Sequence, residues 1–306
     1  MRSAFGKTLS NLATEDCKVY ALDGDLGNST KVDEVAKNVP NKFLQMGIAE
    51  QNMMSVAAGL ATTGLQPWAT SFAAFLSKRA LDQIQVQIAQ PKLDVKIIGG
   101  YSGLLTSKTG KTHQSLEDIA IFRTLSNMIV LAPVDDKEVE EMMKFANNYF
   151  GPVYMRISRD NYPQILPNDY TFELGKAVKL MNGEDITILS TGSQTNRSLE
   201  AAKILRNDGL IPKLLHLPSI KPIDKEAIID AASTSKLIVT AEEHSIIGGL
   251  GSAVAEILSE NKPTRLLRIG VEDKNAESAP NDELLKKYGI STENMVEKIK
   301  NEFKKL

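Results

Sequence analysis

Short apolar runs alternate with helical stretches along the whole chain. In the first half the runs that predict strands are Lys18–Leu22, Phe43–Met46, Trp68–Phe72, Val95–Ile98, Ile129–Leu131 and Val153–Ile157. In the second half they are Ile186–Leu189, Lys213–Leu217, Leu237–Ala241 and Arg265–Ile269. Between them, apolar positions recur at helical spacing, as in Glu138–Asn148, Ser198–Asn207 and Gly251–Glu260. Near-continuous apolar strands joined by helical crossovers predict parallel sheets covered on both faces. The expected architecture is therefore α/β, with two doubly wound domains. In such sheets ligands bind beyond the carboxyl ends of the strands, so candidate chemistry is sought in the loops that follow them.

The composition shifts once. Asp160-Asn161-Tyr162-Pro163-Gln164-Ile165-Leu166-Pro167-Asn168-Asp169 is rich in proline, asparagine and aspartate and reads as extended. It suggests a first domain over 1–165, a linker over 166–175 and a second domain over 176–306. A length of 306 residues suits two domains. Lys plus Arg is 36 and Asp plus Glu is 38, a net charge of −2, which argues against a general nucleic-acid binder or a polybasic membrane anchor. No apolar run reaches the roughly 20 residues that span a bilayer. The opening residues lack the apolar stretch of a signal peptide, so a cytoplasmic location is expected. Cys17 is the only cysteine, which excludes an internal disulfide or a cysteine-cluster metal site; it reads as a small buried residue starting a strand.

Four stretches could carry chemistry. Glu50 lies in Gln45-Met46-Gly47-Ile48-Ala49-Glu50-Gln51-Asn52-Met53, which follows a strand and opens a helix. Its charge suits a first helical turn, either as a plain complement to the helix dipole or as a working carboxylate. The same helix is small-sided at Ala57, Ala58, Gly59 and Ala61, which lets another backbone approach closely. Phe72 and Phe75 share a helical face after a strand, as core packing or as a flat wall for an aromatic ligand. The long polar loop Gly99–Gln114 carries Tyr101, Lys108, Thr109, Lys111 and His113, and loops of this length are more often functional than idle. Arg156-Ile157-Ser158-Arg159-Asp160 ends a strand, where an arginine can fork an anion or join a surface ion pair. Gly248-Gly249-Leu250-Gly251 lacks the full dinucleotide spacing and is discounted as a nucleotide site.

Together these stretches resemble the C-terminal half of a split, two-gene transketolase. The most specific match is Gly47-Ile48-Ala49-Glu50-Gln51-Asn52-Met53 followed by Ala57-Ala58-Gly59-Leu60-Ala61. Thr112-His113-Gln114-Ser115-Leu116-Glu117-Asp118, Gly151-Pro152-Val153-Tyr154-Met155-Arg156 and Glu242-Glu243-His244-Ser245-Ile246-Ile247-Gly248-Gly249 extend it over nearly the whole length. The resemblance implies a thiamine-pyrimidine-binding domain followed by a transketolase C-terminal domain. It implies thiamine diphosphate as cofactor, with Mg2+ held mainly by a partner chain, since no matching diphosphate-binding segment is found. The implied activity is transfer of a two-carbon ketol unit from a ketose donor to an aldose acceptor. The implied assembly is an A2B2 heterotetramer with the N-terminal subunit.

Carried onto this sequence, Glu50 matches the glutamate that hydrogen-bonds the pyrimidine nitrogen. Phe72 and Phe75 match its aromatic neighbours, and Asp25 and Leu26 line the cofactor site. His113 matches a histidine that contacts the donor. Arg159, and more weakly Arg2, match ligands of the substrate phosphate. Tyr101 stands where the family has a phosphate-binding histidine. Lys108 and Thr109 replace an acidic pair, and Lys111 replaces a small residue or proline. These exchanges suggest an anionic or modified sugar substrate. The rival readings are a deoxyxylulose-phosphate-synthase-like or 2-oxo acid dehydrogenase β-like subunit, and a non-catalytic stabilising subunit.

Overall fold

A computed structural model describes residues 1–306. Twelve strands run in chain order: β1 (Val19–Asp23), β2 (Phe43–Gln45), β3 (Gln66–Phe72), β4 (Lys96–Gly100), β5 (Ile129–Leu131), β6 (Val153–Ile157), β7 (Val178–Met181), β8 (Ile186–Ser190), β9 (Pro212–His216), β10 (Ser219–Lys221), β11 (Leu237–Ser245) and β12 (Leu266–Val271). They form two sheets, ordered β10-β5-β6-β4-β3-β1-β2 and β12-β11-β8-β9-β7. Strands β1 to β6 are mutually parallel, as are β8, β9, β11 and β12. Helices cover both faces, so β3, β4 and β6 are buried at every position. The fold is thus α/β with two doubly wound units. No helix is long and apolar enough to cross a membrane.

Two strands have no counterpart in the sequence pattern. β7 pairs antiparallel with β9 at a sheet edge. β10 leaves the second unit and pairs antiparallel with β5, completing the first sheet. The apolar core crosses the same boundary. One cluster joins Ile119, Phe122 and Leu125 to Leu215, Leu217, Ile220 and Leu250. Cys17, expected to be buried in a strand, is exposed. It lies in the turn between the helix Arg2–Glu15 and β1, where neither element covers it.

Buried polar pairs also span the seam. Asp118 begins the helix Asp118–Thr124 and pairs with Arg156 of β6, Nε to Oδ2 at 2.7 Å, while Tyr154 Oη donates to the same oxygen at 2.6 Å. Arg156 Nη2 reaches onward to the Glu243 carbonyl of β11 at 3.2 Å. His216 of β9 meets Glu138 of the helix Asp136–Asn148 at 2.8 Å, both fully buried. The glycine turn at 248–251 is occupied from within: the Glu242 carboxylate accepts from Leu250 N at 2.7 Å and Gly251 N at 2.8 Å. Burial nonetheless pushes the Glu242 carboxyl above its ordinary range, against His244 and those two amides.

Burial also favours protonation of Asp118, but Arg156, His244 and Tyr154 outweigh it and hold the carboxyl below its usual range. A depressed carboxyl contributes stability above its unfolded value, about 3.9, and loses it as pH falls through the folded value. The wild type should therefore keep this contribution down to about pH 4. Arg156→Leu should cost about 3–5 kcal/mol at pH 7 by leaving a buried charge alone. Burial then dominates, Asp118 takes up a proton more readily, and the deficit should shrink at pH 5. Chemical denaturation at the two pH values checks this; a pH-independent deficit would contradict it.

Candidate active site

The candidate site lies beyond the carboxyl ends of β1, β3 and β4. Glu50 is the first residue of the helix Glu50–Thr62, entered from β2 through Gly47, whose φ of +70° suits a glycine. Its side chain is fully buried. Oε2 accepts from Arg79 Nη1 at 2.7 Å, and Ser71 Oγ of β3 donates to Oε1 at a long 3.3 Å. Arg79 follows Phe75 by four residues and lies 4.7 Å over its ring. One side of the carboxylate is thus tied to a cation, while the other is lightly held.

Phe72 ends β3 and Phe75 sits on the short helix Ala73–Leu76. Their rings are 5.7 Å apart at 26°, forming the flat wall that their spacing suggests. His113 meets both edge-on, 5.3 Å from Phe75 and 6.1 Å from Phe72. Its Nδ1 is 2.8 Å from Thr112 Oγ1. Tyr101 also stacks on Phe72, centroids 4.2 Å apart at 19°. Its φ of +52° is unusual for a bulky residue and aims the ring from the end of β4 into the cluster.

A cationic corner adjoins Tyr101. Arg2, opening the first helix, donates to Tyr101 Oη at 3.2 Å, to Ser29 O at 2.7 Å and to Arg159 O at 2.7 Å. Arg159 lies 5.8 Å over the same ring and pairs with Asp160 at 2.9 Å. Two guanidiniums and a phenol hydroxyl converge there, a donor set suited to a phosphate, sulfonate or carboxylate.

Asp25 and Leu26 follow β1. Asp25 is exposed with φ +64°, and Leu26 N is held by Asp23 Oδ1 at 3.0 Å. Burial pushes the Asp23 carboxyl above its ordinary range, against the Leu26 amide, the Gln45 side chain and the Gly27 amide. Lys108, Thr109 and Lys111 occupy the exposed tip of the 99–114 loop. Their contacts lie away from the aromatic wall: Thr109 Oγ1 meets Thr106 Oγ1 at 2.6 Å, and the Lys108 carbonyl accepts from Ser278 at 2.6 Å. Lys111 borders a crevice of about 480 Å³ between this tip and residues 275–278. The structure therefore joins Glu50, Phe72, Phe75, Tyr101, His113, Arg2 and Arg159, and leaves the lysines at the rim. Ser71 and Arg79 were not singled out by the sequence, although the four-residue step from Phe75 to Arg79 is a readable helical spacing.

The transketolase pyrimidine binding domain family matches residues 1–164, and the transketolase C-terminal domain family matches residues 175–295. A protein of Methanocaldococcus jannaschii described as a transketolase C-terminal section is 42% identical over 100% of this chain and 96% of its own length. A 6-deoxy-6-sulfo-D-fructose transketolase subunit of Clostridium sp. is 38% identical over 97% of this chain and 92% of its own. Among solved structures, a split gene transketolase described as an inactive β4 tetramer superposes with a TM-score of 0.91 at 43% identity, covering 98% of this chain and 97% of that one.

The Glu50–Arg79 contact has a measurable signature. Arg79→Met should cost about 1–2 kcal/mol, less than a fully buried pair because Arg79 is half exposed. Adding Glu50→Gln should restore more than half of that loss in thermal unfolding, since the stranded charge is removed. Simply additive costs would contradict the pairing.

Proposed function

Because the chain belongs to the transketolase family, we propose that it is the C-terminal subunit of a two-chain transketolase. On this reading residues 1–165 form the pyrimidine-binding domain and 176–306 the transketolase C-terminal domain. It transfers a two-carbon ketol unit from a ketose donor to an aldose acceptor. The observation that carries the reading is the fully buried Glu50 carboxylate joined through Arg79 to the Phe72–Phe75–His113 wall.

These residues fit the aminopyrimidine end of thiamine diphosphate. Glu50 Oε1, reached only by Ser71 at 3.3 Å, offers a charged acceptor to a ring N–H, and partly exposed Phe75, backed by buried Phe72, offers flat apolar surface to the ring itself. The bound cofactor supplies the carbon nucleophile that takes up and releases the ketol unit. Around it, Glu50 holds a proton on the ring nitrogen, and Arg79 fixes which carboxylate oxygen faces inward. His113 presents an imidazole to donor oxygens, and Asp25 and Leu26 border the cofactor. Arg2, Arg159 and the Tyr101 hydroxyl hold the anionic end of the substrate. No group of three or more His, Cys, Asp or Glu side chains stands close enough together in this chain to hold a metal. The reading leaves the diphosphate and its Mg2+ to an N-terminal partner subunit.

A shared site requires a joined assembly. Ile48, two residues before Glu50, is 75% exposed, and nothing lies within 4 Å of where a Cβ on Gly59 would sit. Both suit close packing against another chain, and the proposed assembly is A2B2. The split relative described as an inactive β4 tetramer supports four-chain packing of such subunits. A monomeric mass in the presence of the correct partner would count against it.

Ketol transfer is tested by mixing this chain with its candidate partner, thiamine diphosphate, Mg2+ and a panel of ketoses and aldoses, reading product masses. A two-carbon shift is expected, and Glu50→Gln should lower kcat by about 10²–10⁴-fold. Full activity of Glu50→Gln would return the chain to a stabilising role. Release of CO2 from pyruvate instead would move it to the decarboxylating relatives.

The rim lysines point to an anionic or modified sugar, a reading supported by the sulfosugar named for the Clostridium relative. Lys108→Glu combined with Lys111→Ala should raise the acceptor KM and flatten its dependence on salt. An unchanged KM and salt slope would remove the lysines from substrate recognition.

A further inference from the structure

The second domain reaches into the substrate loop through one carboxylate. Glu243 of β11 is 3% exposed, and its Oε1 accepts from both Leu104 N and Leu105 N at 3.0 Å. Its Oε2 accepts from Ser193 Oγ at 3.0 Å and Arg197 Nη2 at 2.5 Å. Consecutive amides aimed at one anion form a strong, directional grip. The fit is close: Gly103 has φ +85°, and a Cβ there would stand 2.5 Å from Glu243 Oε1.

Leu104 and Leu105 form the neck of the loop. Gly103 and Ser115 exchange backbone hydrogen bonds of 2.9 and 3.2 Å, and Gln114 Nε2 donates to Leu104 O at 2.9 Å. His113 is the next residue outward. The same domain holds the other substrate contact: Asn281 Nδ2 donates to Asp160 Oδ2 at 2.6 Å, and Asp160 pairs with Arg159. The domain seam is already closed by β10, by the shared apolar cluster and by Glu138–His216. Glu243 is therefore not the only tie between the domains, and its Oε1 meets only the loop.

We infer that Glu243 is a positioning residue, fixing the loop neck and through it His113, so that the second domain sets the geometry of the substrate site. This rests on the reading of His113 as a donor contact.

The test uses the chain assembled with its partner subunit, comparing wild type, Glu243→Ala, which removes the acceptor of both loop amides, and the double variant Glu243→Ala/Arg197→Met. The double variant removes the stranded guanidinium, so folding is preserved if the single variant is unstable. Hydrogen exchange over residues 103–115 should quicken about tenfold or more, and the donor KM should rise about tenfold with kcat within about twofold, the expected cost of a mispositioned contact. Unchanged exchange in this loop would overturn the inference. So would faster exchange with an unaltered KM, or a loss of kcat alone that tracks thermal stability. If the wild-type assembly transfers no ketol unit, the functional reading fails, while the exchange comparison still decides whether Glu243 fixes the loop.

Discussion

Charge removed from water at the seam between the two sheets constrains everything around it. Asp118, Arg156, Glu243 and Arg197 are all buried or nearly so, each is met by partners from a different element, and the buried Glu138–His216 hydrogen bond joins them. A buried ion is tolerated only when its hydrogen-bonding capacity is filled. Moving the helix Asp118–Thr124, β6, β11 or the helix Gln194–Asn207 would strand at least one of these charges. Their positions are therefore mutually determined, and so is the loop that starts at the end of β4.

The candidate site inherits that rigidity. Its aromatic wall and buried carboxylate come from the ends of β3 and from the helix following β2, and its anion corner comes from the first helix and the end of β6. Tyr101 joins the two, stacked on Phe72 and contacted by Arg2. A left-handed tyrosine costs backbone energy, about 1–3 kcal/mol for such outliers, and persists because both neighbours fix its ring.

Much of this was legible along the chain. The strands buried on both faces read as apolar runs because each of their residues must be apolar or internally paired. Glu50, Phe72, Phe75 and His113 could be singled out because Phe72 ends a strand and the other three lie in the segments that follow strands, where α/β folds place chemistry. The remainder depends on distant pairings. β10 is three residues, Ser219-Ile220-Lys221, with no pattern of its own, and β7 is a partly exposed edge. Glu243 touches Leu104 across 139 residues, and no spacing rule links them. Cys17 misled because a small apolar residue beside a strand resembles core, whereas the strand begins two residues later. The lysines of the loop were legible as charge, but the tether of the Lys108 carbonyl to Ser278 was not.

β10 makes the two halves of this chain poor candidates for module exchange. A chimera joined within the Pro-rich stretch would separate β5 from the strand that covers its outer edge. Without a well-matched β10 the first half would display an apolar edge, Ile129-Val130-Leu131, of the sort that invites intermolecular strand addition. Recombination between relatives should therefore carry residues up to and beyond Lys221 with the first sheet, so the seam heritable as a unit lies some fifty residues past the apparent linker.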